Sequence, residues 1–242
     1  MLLLLRAALD LGNRIALWTK QWQRVHSGPG LVRVNLGSAL VVAPGWIHVD
    51  ASPNVLLAGR GRILQAVAYR LIGSQTQLDY GEYRRRLNQY RFVYHDLAYG
   101  IPFPDSSVDF LYSSHFLEHL EPTVARRVLK ECHRVLRPGG VIRVCVPDLS
   151  AAVQFYLNGQ RDRFLAYFFT DRRLSRHRHR YMYDFELLKQ IVTQAGFVDV
   201  VKCQFRIGRT PDLVDLDNRS HETLYVEAAR PLDIHSPRSA RT

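Results

Sequence analysis

The chain has 242 residues, enough for one substantial hydrophobic core and short for two full domains. Apolar residues make up 47% of it and only 11 are proline, so most of the chain should fold. A total of 33 Lys and Arg against 22 Asp and Glu leaves a formal charge of +11. Such a surface favours anionic partners: nucleic acid, anionic lipid, or a phosphorylated or acidic substrate. Cys132, Cys145 and Cys203 cannot all pair internally, and none has zinc-knuckle or redox spacing. They read as buried thiols in a reducing compartment, which makes the chain cytoplasmic.

The opening MLLLLRAALDLGNRIALWTKQWQRVHSG is continuously apolar only over Leu2 to Leu5. A signal peptide wants charge first and a longer apolar run, and a spanning helix needs roughly 20 apolar residues. Leu3, Ala7, Leu11, Ile15 and Trp18 recur at helical spacing instead. Residues 1–28 therefore read as an amphipathic helical extension packed on the main domain, with peripheral membrane contact as the second reading.

Leu31 to Leu36 reads as the first strand, ending at Gly37, and Trp46 to Val49 as the second, ending at Asp50. Residues 51–90 look like an insertion with helical pieces at Ile63 to Leu71 and Glu82 to Gln89, and a loop from Gly73 to Tyr80. Phe92 to Tyr94 is the next strand, followed by His95 and Asp96. Val108 to Tyr112 is another, with a loop and helix through His115 to Leu120. Pro122 opens a helix to about Leu136, which Arg137-Pro138-Gly139-Gly140 ends. Val141 to Val146 is a near-continuous apolar strand, as at the centre of a sheet buried on both faces.

Ala151 to Phe169 and Asp184 to Ala195 read as helices, with Gly196 stopping the second. Val198 to Phe205 and Glu222 to Ala228 read as an antiparallel pair at the sheet edge. Pro, Ser and Arg dominate residues 231–242, a disordered tail by composition. The alternation predicts an α/β fold over residues 29–230, with a mostly parallel central sheet and an antiparallel edge strand.

Ligands of such sheets bind at the carboxyl ends of the strands, where the candidate residues fall. Gly37 lets backbone approach a ligand, Asp50 can accept hydrogen bonds from ribose hydroxyls, and Asp96 stands near the expected position of a base. There is no Walker motif and no GxGxxG, so the ligand need not contain a pyrophosphate.

On these residues the chain resembles the class I S-adenosylmethionine-dependent methyltransferases, particularly the small type 11 subgroup often found among polysaccharide enzymes. VNLGSALVVAPGWIHVD looks like the first motif and second strand of that family. HDLAYGIPFPDSSVDFLYSSHFLEHL resembles its fourth-strand region, and LKECHRVLRPGGVIRVCVPD its long helix, glycine turn and fifth strand. The resemblance implies a Rossmann-like class I methyltransferase fold with S-adenosyl-L-methionine as cofactor. It assigns Gly37 and Ser38 to the methionine part, Asp50 to the ribose, Asp96 and Leu97 to the adenine, and Ser114 to the entrance. One departure is Gly37-Ser38-Ala39 where the family usually has Gly-x-Gly; alanine resists a positive backbone φ.

His115, His119 and His179 are the candidate catalytic bases for an oxygen acceptor. His115 to His119 also matches the HxxEH pattern of inverted zinc peptidases. A third ligand is then needed, and the following helix offers only Glu121 and Glu131, so no metal is expected. The run from Asp171 to Tyr183 is the densest cationic segment and Arg178 its candidate acceptor-binding residue, while the resemblance, whose segment before the closing helix contributes to the acceptor side, implies Tyr183 beside it. The expected reaction is methyl transfer to an oxygen of a small-molecule or glycan acceptor, with the +11 charge suiting an anionic one. Nucleic acid is a less favoured partner, so the alternatives are an RNA-directed methyltransferase and a non-catalytic protein with the same fold. Nothing in the sequence fixes an oligomeric state.

Overall fold

The computed structural model describes residue 15 and residues 17–26, 28–71, 76, 78–168 and 179–233. Most of the expected N-terminal helix, the 171–178 stretch that includes Arg178, and the tail from 234 lie outside the described residues. Within the first segment, residues 17–20 are helical, and Leu17 packs on Val55 and Tyr94 of the main domain. No helix among the described residues is long and apolar enough to cross a membrane.

Seven strands form one sheet: β1 (Arg33–Leu36), β2 (Trp46–Asp50), β3 (Arg91–Tyr94), β4 (Val108–Ser114), β5 (Leu136–Pro147), β6 (Val198–Cys203) and β7 (Thr223–Ala229). Their order is β3-β2-β1-β4-β5-β7-β6. Pairings from β3 through β5 are parallel, and β7 runs antiparallel to both β5 and β6. The sequence order reverses between β1 and β4, the switch point at which such sheets open a ligand crevice. Because β7 is reversed, its first residue, Thr223, lies beside Pro147 at the carboxyl end of β5.

Side chains alternate across the sheet with period two. Ile142, Val144 and Val146 of β5 join Leu224, Val226 and Ala228 of β7 in the main core. The helices α4 (Pro122–Val135) and α7 (Phe185–Gln194) pack there through Val128, Leu129, Cys132, Val135, Leu188, Ile191 and Val192. Pro122 sits in the first turn of α4, where its missing N–H costs nothing. Asp184 caps α7 by accepting from the Leu187 N–H at 2.8 Å.

The opposite face of β5 and β7 holds Arg143, Cys145, Tyr225 and Glu227, all buried. The near-continuous apolar reading of β5 therefore passed over a guanidinium. Arg143 donates to Asp217 Oδ2 at 2.6 Å and to Glu227 Oε1 at 3.3 Å, and its charge lies over the Tyr225 ring at 4.8 Å. A buried cation survives only when paired and hydrogen-bonded in this way.

Four further helices place the remaining elements: α1 (Pro53–Leu56), α2 (Arg62–Leu71), α3 (Tyr80–Gln89) and the late α8 (Leu213–Leu216). The helix expected over Ala151 to Phe169 is two helices, α5 (Leu149–Leu157) and α6 (Arg161–Phe168), broken at Gly159, whose φ is +75°. Arg137-Pro138-Gly139-Gly140 is not a turn before the strand but an irregular first part of β5. Its register shifts between Val108 and Phe110, and Asp109 pairs with Arg137 at 2.7 Å. Cys132 and Cys145 are free, buried thiols, as expected, and burial pushes their pKa up, whereas Cys203 on edge strand β6 is only half-buried and departs from that expectation.

Candidate active site

The turn after β1 is tied to the exit of β2. Asp50 Oδ2 accepts from the Ala39 N–H at 2.8 Å, and its Oδ1 accepts from the Ser52 N–H at 2.6 Å. An ionised carboxylate has about four lone-pair sites, so roughly two remain for vicinal hydroxyls. Gly37 has φ +64°, and a Cβ there would stand 2.4 Å from Cγ of Phe116. No side chain fits between that backbone and that ring, which makes Phe116 a wall of the site that sequence reasoning missed. Ala39 does adopt the positive φ it should resist, at +46°.

The other positions assigned to the cofactor line the same edge. Ser38 is buried beside Gly37, and Ser114 ends β4 one residue beyond the Leu36–Ser113 pairing. Asp96 follows β3 and accepts from the Ala98 N–H at 2.9 Å, with Leu97 buried next to it. Polar acceptors at the ends of β2 and β3, an apolar residue beside Asp96 and a close-approach glycine after β1 fit the ribose, adenine and methionine parts of S-adenosylmethionine.

Beyond β4 the chain turns sharply at His115, with φ +51°, into a 3-10 turn over Leu117–His119. That turn buries Glu118 completely. His115 Nδ1 lies 3.2 Å and His119 Nε2 3.9 Å from Glu118 Oε1. The backbone N–H groups of Arg180 and Tyr181 donate to the Glu118 carbonyl at 2.7 and 3.2 Å, and Arg180 pairs with Glu121 at 2.5 Å. These bonds bring His179 onto His119, with ring centroids 5.3 Å apart. The three expected histidines are thus gathered around one carboxylate. Burial holds His179 below its ordinary pKa, against the opposing pull of the Tyr167 carbonyl and Glu118, which favours the neutral imidazole.

A cavity of about 400 Å³ opens beside this cluster, lined by His115, Pro147, Arg163, Tyr167, His179, Arg219, His221, Glu222 and Thr223 among others. That size suits a small ligand. Arg163 comes from α6 and pairs with Glu222; the segment from Arg219 to Thr223 arrives because β7 is antiparallel. Sequence reasoning missed Arg163, Arg219 and His221, though a reversed last strand would have put the residues before it at the ligand edge. Tyr183 must be corrected. It is 1% exposed, belongs to the main core and bridges Asp148 on the strand side, so it packs rather than faces an acceptor.

Residues 55–144 match the family model described as a methyltransferase domain, of type 11. A probable S-adenosylmethionine-dependent methyltransferase of Mycolicibacterium smegmatis is 36% identical over 117 residues, covering 45% of this chain and 43% of that protein. A probable S-adenosylmethionine-dependent methyltransferase of Mycobacterium tuberculosis is 33% identical over 119 residues, covering 49% and 36%. The match thus spans less than half the length of these relatives. In fold, the chain is similar to the crystal structure of a possible exported protein from Bordetella parapertussis, with TM-score 0.51 and 14% identity over 93% of this chain and 68% of that one. Residues 55–144 thus match a methyltransferase domain, within a chain whose sheet order is that of the Rossmann-like class I fold.

Proposed function

We propose that the protein transfers a methyl group from S-adenosylmethionine to an oxygen of an anionic small molecule or glycan. The observation that carries this reading is a cationic cavity, floored by histidines, at the same sheet edge as the Asp50-braced turn. When bound, S-adenosylmethionine supplies a methyl carbon on a sulfonium: the acceptor oxygen bonds to it while the carbon–sulfur pair returns to sulfur, leaving S-adenosylhomocysteine. The rest is the work of the chain. Asp50 and the Gly37 turn hold one reactant, and Arg163 and Arg219 draw in the other, so the displacement becomes effectively unimolecular. The acceptor proton passes to His115, which lines the cavity and whose Nδ1 lies 3.2 Å from Glu118 Oε1.

Calorimetric titration with S-adenosylmethionine and S-adenosylhomocysteine tests the first half, with Asp50→Ala as control. Micromolar binding that the substitution removes is expected. An acceptor screen that follows methyl incorporation into sugar phosphates and acidic glycans tests the second. Failure of folded protein to bind either compound overturns the reading in favour of a non-catalytic protein with this fold.

A further inference from the structure

Glu118, His119 and His179 each present a ligand atom, and these atoms all lie within 4.8 Å of one another. The Glu118 side chain is wholly buried, yet among the described residues neither of its oxygens accepts a hydrogen bond. A buried carboxylate in that state is expensive unless a cation meets it. His179 supplies a second, independent sign. Its Nδ1 faces the Tyr167 carbonyl oxygen at 2.6 Å, and a carbonyl can only accept, so the ring proton sits on Nδ1. That leaves the Nε2 lone pair available, the orientation in which metal-binding histidines are held by a backbone carbonyl. His115 stands beside the same oxygen, with Nδ1 at 3.2 Å from Oε1 and Nε2 at 3.2 Å from Thr223 Oγ1.

We propose that Glu118, His119 and His179 form a site for a divalent first-row transition metal at the floor of the cavity, with His115 as a positioning residue. Two imidazoles and one carboxylate suit zinc, iron(II) or cobalt(II), and leave coordination positions open. The structure thus brings His179, 61 positions from Glu118, to Glu118 and His119 in a different ligand set from the two histidines of the HxxEH pattern, and departs from the expectation of no metal. His179 lines the cavity, so the open positions take an acceptor oxygen and acidify its hydroxyl. That use of the ion rests on the methyl-transfer reading; the binding does not.

The test uses tag-free, chelator-treated full chain. Zinc is followed by equilibrium dialysis with metal analysis, and cobalt(II) by its visible ligand-field absorption. One equivalent per chain is expected. Glu118→Gln and His179→Ala should each weaken binding roughly 10- to 100-fold or more, while His26→Ala, on the exposed N-terminal segment, leaves it unchanged. Thermal unfolding checks that each variant is folded. Absence of saturable binding by folded wild type, or binding undiminished in both ligand variants, overturns the proposal. Titrating the same metal-free protein with S-adenosylhomocysteine separates the two readings: zinc binding without it leaves the metal site standing and removes methyl transfer, and the converse removes the metal alone.

Discussion

The Ala39 N–H and the Asp50 carboxylate are joined at 2.8 Å, so one side chain both shapes the β1 turn and ends β2 at the switch-point edge of the sheet. Asp50→Ala removes two backbone-to-carboxylate bonds and the acceptors left for ribose. Hydrogen bonds to a charged group contribute about 1.5–3 kcal/mol each. Affinity for S-adenosylhomocysteine should fall by at least about 10-fold by calorimetry. Asp50→Asn, which keeps one acceptor oxygen, should fall between the two.

The glycine and the alanine of that turn are expected to respond in opposite directions. Gly37→Ala puts a methyl group into the Phe116 ring at a φ of +64°, and should lower the melting temperature and abolish cofactor binding. Ala39 already carries the strain of a left-handed conformation at +46°. Its replacement by Gly should stabilise the fold by up to about 1 kcal/mol and leave cofactor affinity equal or higher. A loss of stability in Ala39→Gly would mean that the methyl group packs in a way the exposed position does not suggest.

The β1 turn also marks how far the sequence could be read. Strand ends followed by Gly37, Asp50 and Asp96 were legible because local pattern and chain order fix where a parallel sheet puts its carboxyl ends. Arg143 was not, since period-two reading treats one charge in an apolar run as tolerable, and its partners Asp217 and Glu227 lie 74 and 84 residues away. Gly159 broke a helix whose apolar spacing alone looked continuous. The meeting of His179 with Glu118 depends on backbone bonds from Arg180 and Tyr181 to a carbonyl. No side-chain pattern announces such bonds. Tyr183 was misjudged because the resemblance puts a tyrosine of this segment at the acceptor side, whereas here the bridge to Asp148 draws it into the core.

The Arg143 network should be among the most sensitive places in the fold. Asp217→Ala leaves a fully buried guanidinium short of its 2.6 Å partner and should cost about 3–5 kcal/mol in chemical denaturation. Gly208→Ala attacks the same place sterically, since its Cβ would stand 2.3 Å from Glu227 Oε1 and 2.7 Å from the Arg143 guanidinium. Either variant at wild-type stability would show that the ion group is dispensable.

Stability should also fall with acid. Burial lowers the pKa of His48 from 6.5 to about 4, and the ring is enclosed by Tyr90 and Phe92. The unfolded chain therefore takes up a proton near pH 6.5 that the folded chain refuses. Stability is undiminished above that pH and declines as the pH drops from 6.5 towards 4, by roughly 3 kcal/mol for this residue alone. His95 and His133, also lowered by burial, add to the slope. His48→Phe keeps the aromatic packing and should flatten part of the decline in melts recorded between pH 7.5 and 4.5. An unchanged slope would assign the loss to other groups.

Charge in the cavity gives the sharpest test of the acceptor class. Arg163 is paired with Glu222 and stacked on Phe155 at 3.8 Å, so part of its field is already spent, while Arg219 and His221 approach from the β7 side. Arg219→Ala should raise KM for an anionic acceptor several-fold with little change in kcat, because attraction in the open cavity acts on binding more than on the transition state. Glu222→Gln should do the reverse: freed from its carboxylate, Arg163 becomes a stronger anion anchor, and KM drops. Both effects should shrink as salt is raised, since the groups are partly exposed. A neutral acceptor should be indifferent to the pair of substitutions. If instead Arg219→Ala lowers kcat at saturating acceptor and leaves KM alone, the cavity's charge serves the transition state, and the acceptor need not be an anion.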